Sequence, residues 1–200
     1  MKNPARFRAF LASFSALVEA AAGDERRIFR EGAPLLSELV RHDDWLPDEF
    51  AEEAPGAYRQ YLLYCDPRER FSVVSFVWGP RVKTPIHDHT VWGMVAVMRG
   101  AENCYEYDVP RPGAPMAPRA QHRCEPGDVD KVSPTVGDVH VVENALGERA
   151  SVSIHVYGGN IGAVERHVFD AATGATKPFV SGYSKPTLPN FWDRSGESGG

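Results

Sequence analysis

Two histidines separated by one residue are the clearest chemical signal in this sequence of 200 residues. His87 and His89 flank Asp88, and alternate side chains of a β-strand point to the same face. Two imidazoles in this arrangement can converge on one ion, and neutral imidazole suits Fe, Zn, Cu and Ni. Because many such pairs lie on protein surfaces, the prediction of a metal site depends on the rest of the sequence.

A second pattern of alternate polar residues lies at Ser153, His155 and Tyr157. Alternation puts all three side chains on one face of a predicted strand, Ser151–Tyr157. A chain of hydrogen bonds from hydroxyl to imidazole to phenol is then geometrically natural. A purely structural network across a barrel would use the same residues, so the pattern by itself leaves both interpretations open.

The overall composition excludes several classes of function. Hydrophobic residues make up 42% and charged residues 24%, which is ordinary for a soluble globular protein. A net charge of −5 gives no basic field for nucleic acid, and no apolar run approaches the length of a membrane span. The first helix-like stretch is broken by Arg6, Arg8 and Ser13, so we predict no signal peptide. We expect neither nucleic acid nor membrane as a partner; the oligomeric state stays open.

The three cysteines are odd in number and show no CxxC spacing. This favours reduced thiols in a cytoplasmic protein over a disulfide framework or a thiolate zinc site. They are Cys65, Cys104 and Cys124.

The first 57 residues are predicted to form a helical extension that packs on the rest of the chain. Gly23 is a stop signal for the first helix, Pro34 is expected near the start of a second, and a short third helix is predicted around residues 47–54. The apolar residues of the first helix recur at steps of three and four and are Phe7, Phe10, Leu11, Phe14, Leu17 and Val18.

From about Tyr58 the sequence predicts short strands punctuated by Gly and Pro, a texture typical of a sandwich or barrel. We predict a barrel domain over residues 58–194, a loop at Pro110–Arg119 and a flexible tail at 195–200. The predicted strands are Tyr58–Tyr64, Phe71–Trp78, Val91–Met98, Glu102–Tyr107, Val129–Val132, Asp138–Val142 and Ser151–Tyr157.

The histidine pair lies within a pattern that resembles the first motif of the cupin family, with Gly79 before it and Gly100 after it. A second stretch resembles the second cupin motif, Pro-x-x-Gly-x-x-His-x-x-x-Asn, and is formed by Gly127, Pro134, Gly137, His140 and Asn144. The resemblance implies a mainly β cupin barrel, the double-stranded β-helix or jelly roll, with the helices as an N-terminal extension. It also implies that His140 is a third metal ligand beside His87 and His89.

Gly93 stands where many cupins have an acidic ligand. Three neutral ligands would leave a divalent ion with its full charge and with open positions for an anionic substrate and dioxygen. A thiolate is a natural anionic ligand, because a metal stabilises the deprotonated sulfur.

The resemblance is stronger to one cupin branch, the thiol dioxygenases, which use Fe(II) to add both atoms of O2 to a small thiol and give a sulfinate. Trp78-Gly79 through His87-Asp88-His89-Thr90 looks like the corresponding segment of that branch, and so does Ser153-Ile154-His155-Val156-Tyr157. The resemblance implies catalytic roles for Ser153, His155 and Tyr157, with the Tyr157 hydroxyl directed at the iron site.

Residues outside the metal motifs indicate which thiol is used. Gln60 resembles a glutamine of the 3-mercaptopropionate enzymes, and alternation allows only one of Arg59 and Gln60 to face inward; we favour Gln60. Arg166 resembles the arginine that this branch uses to hold a carboxylate. Gly93 replaces the cysteine that animal-type cysteine dioxygenases crosslink to tyrosine, so no crosslink is expected.

These residues favour 3-mercaptopropionate as substrate, with cysteine or mercaptosuccinate as alternatives. A zinc or manganese isomerase or hydrolase and a non-catalytic metal-binding sensor are alternatives of other classes. His122 and His167 match no motif and are predicted to be surface residues. His42 is predicted in a loop or cap, and Trp92 either lines the pocket or packs in the core.

Overall fold

The chain folds as two helices followed by antiparallel strands, in a computed structural model that describes residues 3–109, 111, 113–185 and 188–189. The helices are α1 (Pro4–Ala21) and α2 (Glu25–Val40), and a single 3-10 turn lies at Asp48–Phe50. The strands of the described part are β1 (Tyr58–Cys65), β2 (Ser72–Trp78), β3 (Ile86–His87), β4 (Gly93–Arg99), β5 (Glu102–Tyr107), β6 (Pro118–Cys124), β7 (Val129–Val132), β8 (His140–Asn144), β9 (Ser151–Tyr157), β10 (Arg166–Phe169) and β11 (Thr176–Phe179).

The strands form two antiparallel sheets. The first has the order β1-β2-β9-β4-β7 and the second the order β11-β10-β3-β8-β5-β6. Several neighbouring strands, such as β2 and β9 or β3 and β8, are far apart in sequence, so the chain crosses repeatedly between the sheets, as a double-stranded β-helix requires. This mainly β architecture with N-terminal helices confirms the predicted fold class.

The three central strands of the first sheet, β2, β9 and β4, are buried on both faces, and β9 shows how the two faces are used. Every residue of β9 is buried. Val152, Ile154 and Val156 join the hydrophobic cluster of the helices, which cover the outer face of the sheet. The alternate residues therefore face the barrel interior, where Tyr157 packs with Val132. The outer face stabilises the fold, and the inner face carries polar side chains.

The helices pack closely against this outer face. Gly32 of α2 lies so near the barrel that a Cβ atom there would come within 2.8 Å of Phe14 and 3.0 Å of Met94. Helices and strands thus share one hydrophobic cluster. The domain boundary at residue 57 stays a prediction, and the predicted tail at 195–200 lies outside the described residues. Within the described ranges, no helix is both long enough and apolar enough to cross a membrane.

The second helix differs from the sequence prediction. Pro34 lies in its interior, whereas we expected it near the start. The helix begins after Asp24, whose side chain accepts a hydrogen bond from the backbone N–H of Arg27 at 3.1 Å. An apolar face that includes Ile28 and Leu36 extends on both sides of Pro34, and this packing sustains the helix although the proline lacks an N–H donor. The end of α1 at Ala21, with Ala22 and Gly23 left-handed, agrees with the stop signal predicted at Gly23.

Four strands were not predicted: β3, β6, β10 and β11. β3 has only two residues, and β6 is a largely exposed strand at a sheet edge with no apolar alternation. β6 begins at Pro118, so the predicted loop Pro110–Arg119 is wrong at its end; Pro110 and Pro112 lie outside the described residues. β11 forms the opposite edge and contains Pro178, which an edge strand tolerates. The predicted helix over 47–54 is reduced to the 3-10 turn at Asp48–Phe50.

We predict that Leu36→Ala lowers the free energy of unfolding by about 2–5 kcal/mol, because Leu36 is fully buried in the hydrophobic cluster that the helices share with the strands. The adjacent Leu35 is only half-buried, so Leu35→Ala should cost about 1 kcal/mol or less. Urea unfolding of the metal-free proteins measures both. Equal losses would show that α2 does not pack on the barrel in this register.

Candidate metal centre

Three histidines converge at the centre of the barrel. His87 of β3 lies directly across the sheet from His140 of β8, and His89 follows in the loop after β3. Each pair of these rings has centroids 4.9 Å apart, and all three residues are buried. One ligand atom from each ring lies within 4.8 Å of the others, close enough for one ion to bind all three.

The position of His89 has a different cause from the one predicted. β3 ends at His87, so strand alternation does not place His89. Instead Asp138 holds the turn: its carboxylate accepts from the backbone N–H groups of His89 at 3.1 Å and Thr90 at 2.9 Å. Thr90 has a φ of 59°, a left-handed conformation that redirects the chain after the ligand.

Every ligand ring has a polar partner at Nδ1. That of His87 lies 3.1 Å from the carbonyl oxygen of Pro85, and that of His89 lies 3.0 Å from a carboxylate oxygen of Asp138. That of His140 lies 3.4 Å from Sγ of Cys104. With the proton at Nδ1, each ring keeps the lone pair of Nε2 for an ion, which is the usual way in which a second group fixes a ligand histidine.

Burial keeps the rings of His87 and His140 neutral. Loss of hydration lowers the pKa of His87 to about 3, helped by the neighbouring imidazole of His89. The same desolvation lowers the pKa of His140 well below its ordinary value. Neutral imidazoles are the form that binds a metal, so the donor set fits a divalent transition ion.

Gly93 leaves room for Tyr157 rather than for a fourth ligand. The two residues are opposite each other on β4 and β9, and a Cβ atom at position 93 would lie 2.7 Å from the tyrosine ring. The ring of Tyr157 in turn stacks on His89 with centroids 5.5 Å apart. Tyr157 thus occupies the space beside the ligands where an acidic side chain would enter.

The three polar residues on the inner face of β9 are connected as the alternation predicts. Ser153 Oγ lies 2.8 Å from Nε2 of His155, and Nδ1 of His155 lies 2.7 Å from the Tyr157 hydroxyl. Trp78 donates its indole N–H to Ser153 Oγ at 3.1 Å. Burial raises the pKa of Tyr157 and lowers that of His155, so both are neutral at neutral pH. Tyr157 is therefore a phenol that can donate a hydrogen bond.

A cavity of about 270 Å³ opens on the three histidines and holds the predicted substrate residues. Arg166 and Gln60 both lie in its lining and are buried. Of the pair left open by the sequence, Gln60 faces the cavity and Arg59 is absent from its described lining. Most of the remaining wall is apolar or aromatic and comprises Tyr58, Phe76, Trp78, Thr84, Pro85, Val142, Val168 and Phe179.

The chain after β11 fixes the head groups of Arg166 and Gln60. Ser181 accepts from Arg166 Nη2 at 2.6 Å and from Gln60 Nε2 at 3.1 Å, and Gly182 O accepts from the same amide at 3.0 Å. The guanidinium carbon of Arg166 lies 4.7 Å from the ring centroid of Phe179. Arg166 Nε is buried and has no hydrogen-bond partner among the described residues.

The other predicted residues lie away from the cavity. Trp92 packs between the helices and the barrel, with ring centroids 6.4 Å from both Phe14 and Phe29, so it belongs to the core. His42 pairs with Glu38 just after α2, as a cap residue would. The histidines predicted at the surface, His122 and His167, are half-buried, and each pairs with an aspartate, Asp130 and Asp88 respectively.

Sequence reasoning missed Asp138, Ser181 and Glu102. Asp138 precedes the ligand His140 by two residues, and that proximity was the available signal. Ser181 lies in a stretch without a motif. It comes close to Arg166 only because β11, which precedes it, pairs antiparallel with β10. Glu102 is a buried carboxyl in a strand that was predicted correctly, but alternation alone does not show whether the strand face that carries it is buried or exposed to solvent.

No protein-family model matches the chain. Solved structures similar to it include a conserved protein with a double-stranded β-helix domain from Klebsiella pneumoniae, with 18% identity and a TM-score of 0.46 over 60% of this chain and 94% of that one. A cupin-like protein from Thermotoga maritima has 18% identity and a TM-score of 0.43 over 58% and 78%. An oxalate oxidase has 15% identity and a TM-score of 0.40 over 54% of this chain and 53% of its own. Likenesses at this level carry no information on the activity of this chain.

We predict that His87→Ala, His89→Ala and His140→Ala each abolish stoichiometric binding of a divalent transition metal, since each removes one of three ligands. His42→Ala removes a histidine far from the centre and should leave one ion per chain. Equilibrium dialysis with elemental analysis measures the stoichiometry. Full binding by the His140 variant would show that the ion lies elsewhere.

We predict that Asp138→Asn weakens metal binding by roughly 10- to 100-fold, because His89 loses the carboxylate that fixes its ring. Asp128→Asn changes an aspartate that accepts a turn hydrogen bond from Glu125 and should leave the affinity unchanged. Competition with a chelator of known affinity measures the difference. An unchanged affinity in the Asp138 variant would contradict a role in orienting the ligand.

Proposed function

We propose that the protein is a non-haem Fe(II) thiol dioxygenase that adds both atoms of O2 to the sulfur of a small thiol carboxylate, with 3-mercaptopropionate favoured. The observation that carries the proposal is a buried guanidinium that lines the same cavity as three histidines able to hold one metal ion. Arg166 lines the same cavity as His87 and His140, and its Nε has no partner in the described part of the chain.

The environment of Arg166 supports an anionic substrate. A buried cation is costly unless an opposite charge pairs with it, and no described ion pair includes Arg166. One Nη group of Arg166 donates to Ser181, and Phe179 covers one face of the guanidinium. The head group is therefore held in place, and its Nε donor is still unused. A carboxylate can pair with these donors through two parallel hydrogen bonds.

The lining of the cavity supports a thiol with one acid and no amine. Among the described residues that line it there is no Asp or Glu, so no carboxylate there would pair with the ammonium group of cysteine. Arg166 is also the one Lys or Arg in that lining, whereas mercaptosuccinate brings two carboxylates. The largely apolar wall suits the short alkyl chain of 3-mercaptopropionate.

Each residue has a role in this reaction. His87, His89 and His140 would hold Fe(II), which when bound provides the place where thiolate and dioxygen meet and stabilises the deprotonated sulfur. Arg166 binds the carboxylate, and Gln60, fixed by Ser181 and Gly182, forms the wall beside it. Tyr157 donates its hydroxyl hydrogen bond into the cavity next to His89, and His155 and Ser153 hold that hydroxyl in position.

The test is oxygen consumption by the Fe(II)-loaded protein with a panel of small thiols. We expect uptake with 3-mercaptopropionate, one sulfinate formed per O2, and a lower kcat/KM for cysteine and mercaptosuccinate. Tightly bound zinc without thiol-dependent uptake would favour a hydrolase or isomerase, and metal binding without any turnover would favour a sensor. A higher kcat/KM for cysteine would overturn the choice of substrate alone.

We predict that Arg166→Gln lowers kcat/KM for 3-mercaptopropionate by roughly 30- to 150-fold, the effect of losing a charge-assisted hydrogen bond of about 2–3 kcal/mol. Oxidation of 3-mercaptopropanol, which has no carboxylate, should change little. Arg99→Gln removes a half-exposed arginine paired with Asp43 and is the matched control. A loss of equal size for both thiols would indicate a structural role for Arg166 instead.

A further inference from the structure

A buried carboxyl lies at the far end of the hydrogen-bonded chain on β9. Glu102 is the first residue of β5, is 3% exposed and faces the barrel interior. Its Oε1 accepts from the Ser151 hydroxyl at 3.2 Å, and its Oε2 has no hydrogen-bond partner in the described ranges. No described cation pairs with it. A buried acid with an unused oxygen needs a reason to be there.

Ser153 connects this carboxyl to the relay. Ser153 follows Ser151 by two residues on the same face of β9, and both hydroxyls favour the charged form of Glu102, although the hydrogen bond in the structure comes from Ser151. The Ser153 oxygen already accepts from Trp78 and lies 2.8 Å from His155 Nε2. Ser153 has one proton to give, so it can donate either to His155 or to Glu102.

The acceptor to which Ser153 donates its proton sets the direction of every hydrogen bond from Ser153 to Tyr157. If Ser153 donates to Glu102, then His155 donates from Nε2 to Ser153, and Tyr157 donates to Nδ1 of His155. If Ser153 donates to His155, the tautomer reverses and Nδ1 donates to the Tyr157 oxygen. In the second state, the Tyr157 hydroxyl donates its own proton into the cavity.

We propose that Glu102 is the terminal proton acceptor of the relay and receives the thiol proton of the substrate through Tyr157, His155 and Ser153. This inference rests on the proposed function, because it assigns the proton to a thiol. The S–H proton passes to the Tyr157 oxygen as the Tyr157 proton passes to His155 Nδ1. The Nε2 proton of His155 moves to Ser153, and the Ser153 proton moves to Glu102.

Protons and charge balance in this transfer, and only the substrate sulfur and Glu102 change their charge. The substrate becomes a thiolate and Glu102 becomes a carboxylic acid, whereas Tyr157, His155 and Ser153 are neutral before and after. Oxidation of a thiolate to a sulfinate by O2 needs no proton. After the product leaves, the proton returns along the same chain to water in the cavity, which resets each group.

The surroundings of Glu102 suit this role. Burial raises the pKa of its carboxyl to about 7, so it can change charge near neutral pH. The titratable groups around it are Cys104 on its own strand, Cys124 directly across on β6 and Tyr157 on β9, and burial raises the pKa of each far enough to keep it protonated. From β9 it meets Ser151 and Ser153, and from β8 the amide-bearing Asn144 lies opposite it. Glu102 is thus the group in this cluster that titrates near pH 7.

The first test observes the carboxyl itself, without turnover. Infrared difference spectra of wild type against Glu102→Gln should show a buried carboxylic acid C=O band that disappears as pH rises, with a midpoint near 7. Ser153→Ala removes a donor to the charged form, so the midpoint should move upward. A band that titrates near pH 4.5, or a midpoint unmoved by Ser153→Ala, would overturn the proposal even if the protein proved not to oxidise thiols.

The second test uses the pH profile of the Fe(II)-loaded enzyme with 3-mercaptopropionate. In wild type, kcat/KM should rise through pH 7 as Glu102 ionises. Glu102→Gln should lose that limb and fall by roughly 100-fold or more, the usual size of a proton-transfer contribution. Glu102→Asp should restore part of the rate, and Glu143→Gln, which changes a half-buried glutamate on β8, should behave as wild type.

The double variant Glu102→Gln/Ser153→Ala separates a relay from simple packing. Groups in one proton path give non-additive losses, so the double variant should be no slower than the slower single variant. Multiplying losses, or a Glu102→Gln variant with the wild-type profile, would overturn the inference while leaving the dioxygenase activity established. Absence of uptake in wild type would instead count against the proposed function.

Discussion

Three imidazoles can hold an ion inside a dry barrel only if each ring is neutral and each presents the same nitrogen to the centre. For His87 and His140, burial supplies the first condition, since desolvation disfavours protonated rings. The second depends on three unrelated partners, the Pro85 carbonyl, the Asp138 carboxylate and the Cys104 sulfur. Much of the interior follows from this requirement, because those partners come from loops and strands that the two-sheet fold brings together.

In the first sheet, alternate residues of one strand have different roles: those on one face pack in the core, and those on the other face line the interior of the barrel. On β9, one set of alternate residues packs against the helices, and the other set carries Ser153, His155 and Tyr157. The helices therefore contribute to the site indirectly, because they cover the apolar outer residues of β9 while its inner residues Ser153, His155 and Tyr157 are polar. A slip of one residue in this register would exchange the two sets and destroy core and relay together.

The sequence predicts best those features that depend on neighbouring residues. Alternation correctly placed Ser153, His155 and Tyr157, and the predicted bounds of β5, β7 and β9 are those of the structure. His89 could not be placed in this way, because a carboxylate 49 residues away holds its turn. β6 was missed because an exposed edge strand needs no apolar alternation, and its sequence has none. The position of the Arg166 guanidinium likewise depends on the pairing of β11 with β10 and on Ser181, and no local sequence pattern indicates either.

The position of residues 181–184 late in the sequence determines the order in which the parts of the cavity are synthesised. This segment is bound to Gln60 on both backbone and side chain and to Arg166, yet it follows every metal ligand in the sequence by more than one strand. A chain leaving the ribosome therefore exposes all three histidines well before the segment that fixes Arg166 and Gln60. In the proposed function, the ion-binding residues are thus synthesised before the segment that completes the substrate-binding residues, so the two proposed roles of the site are separable in time as well as in space.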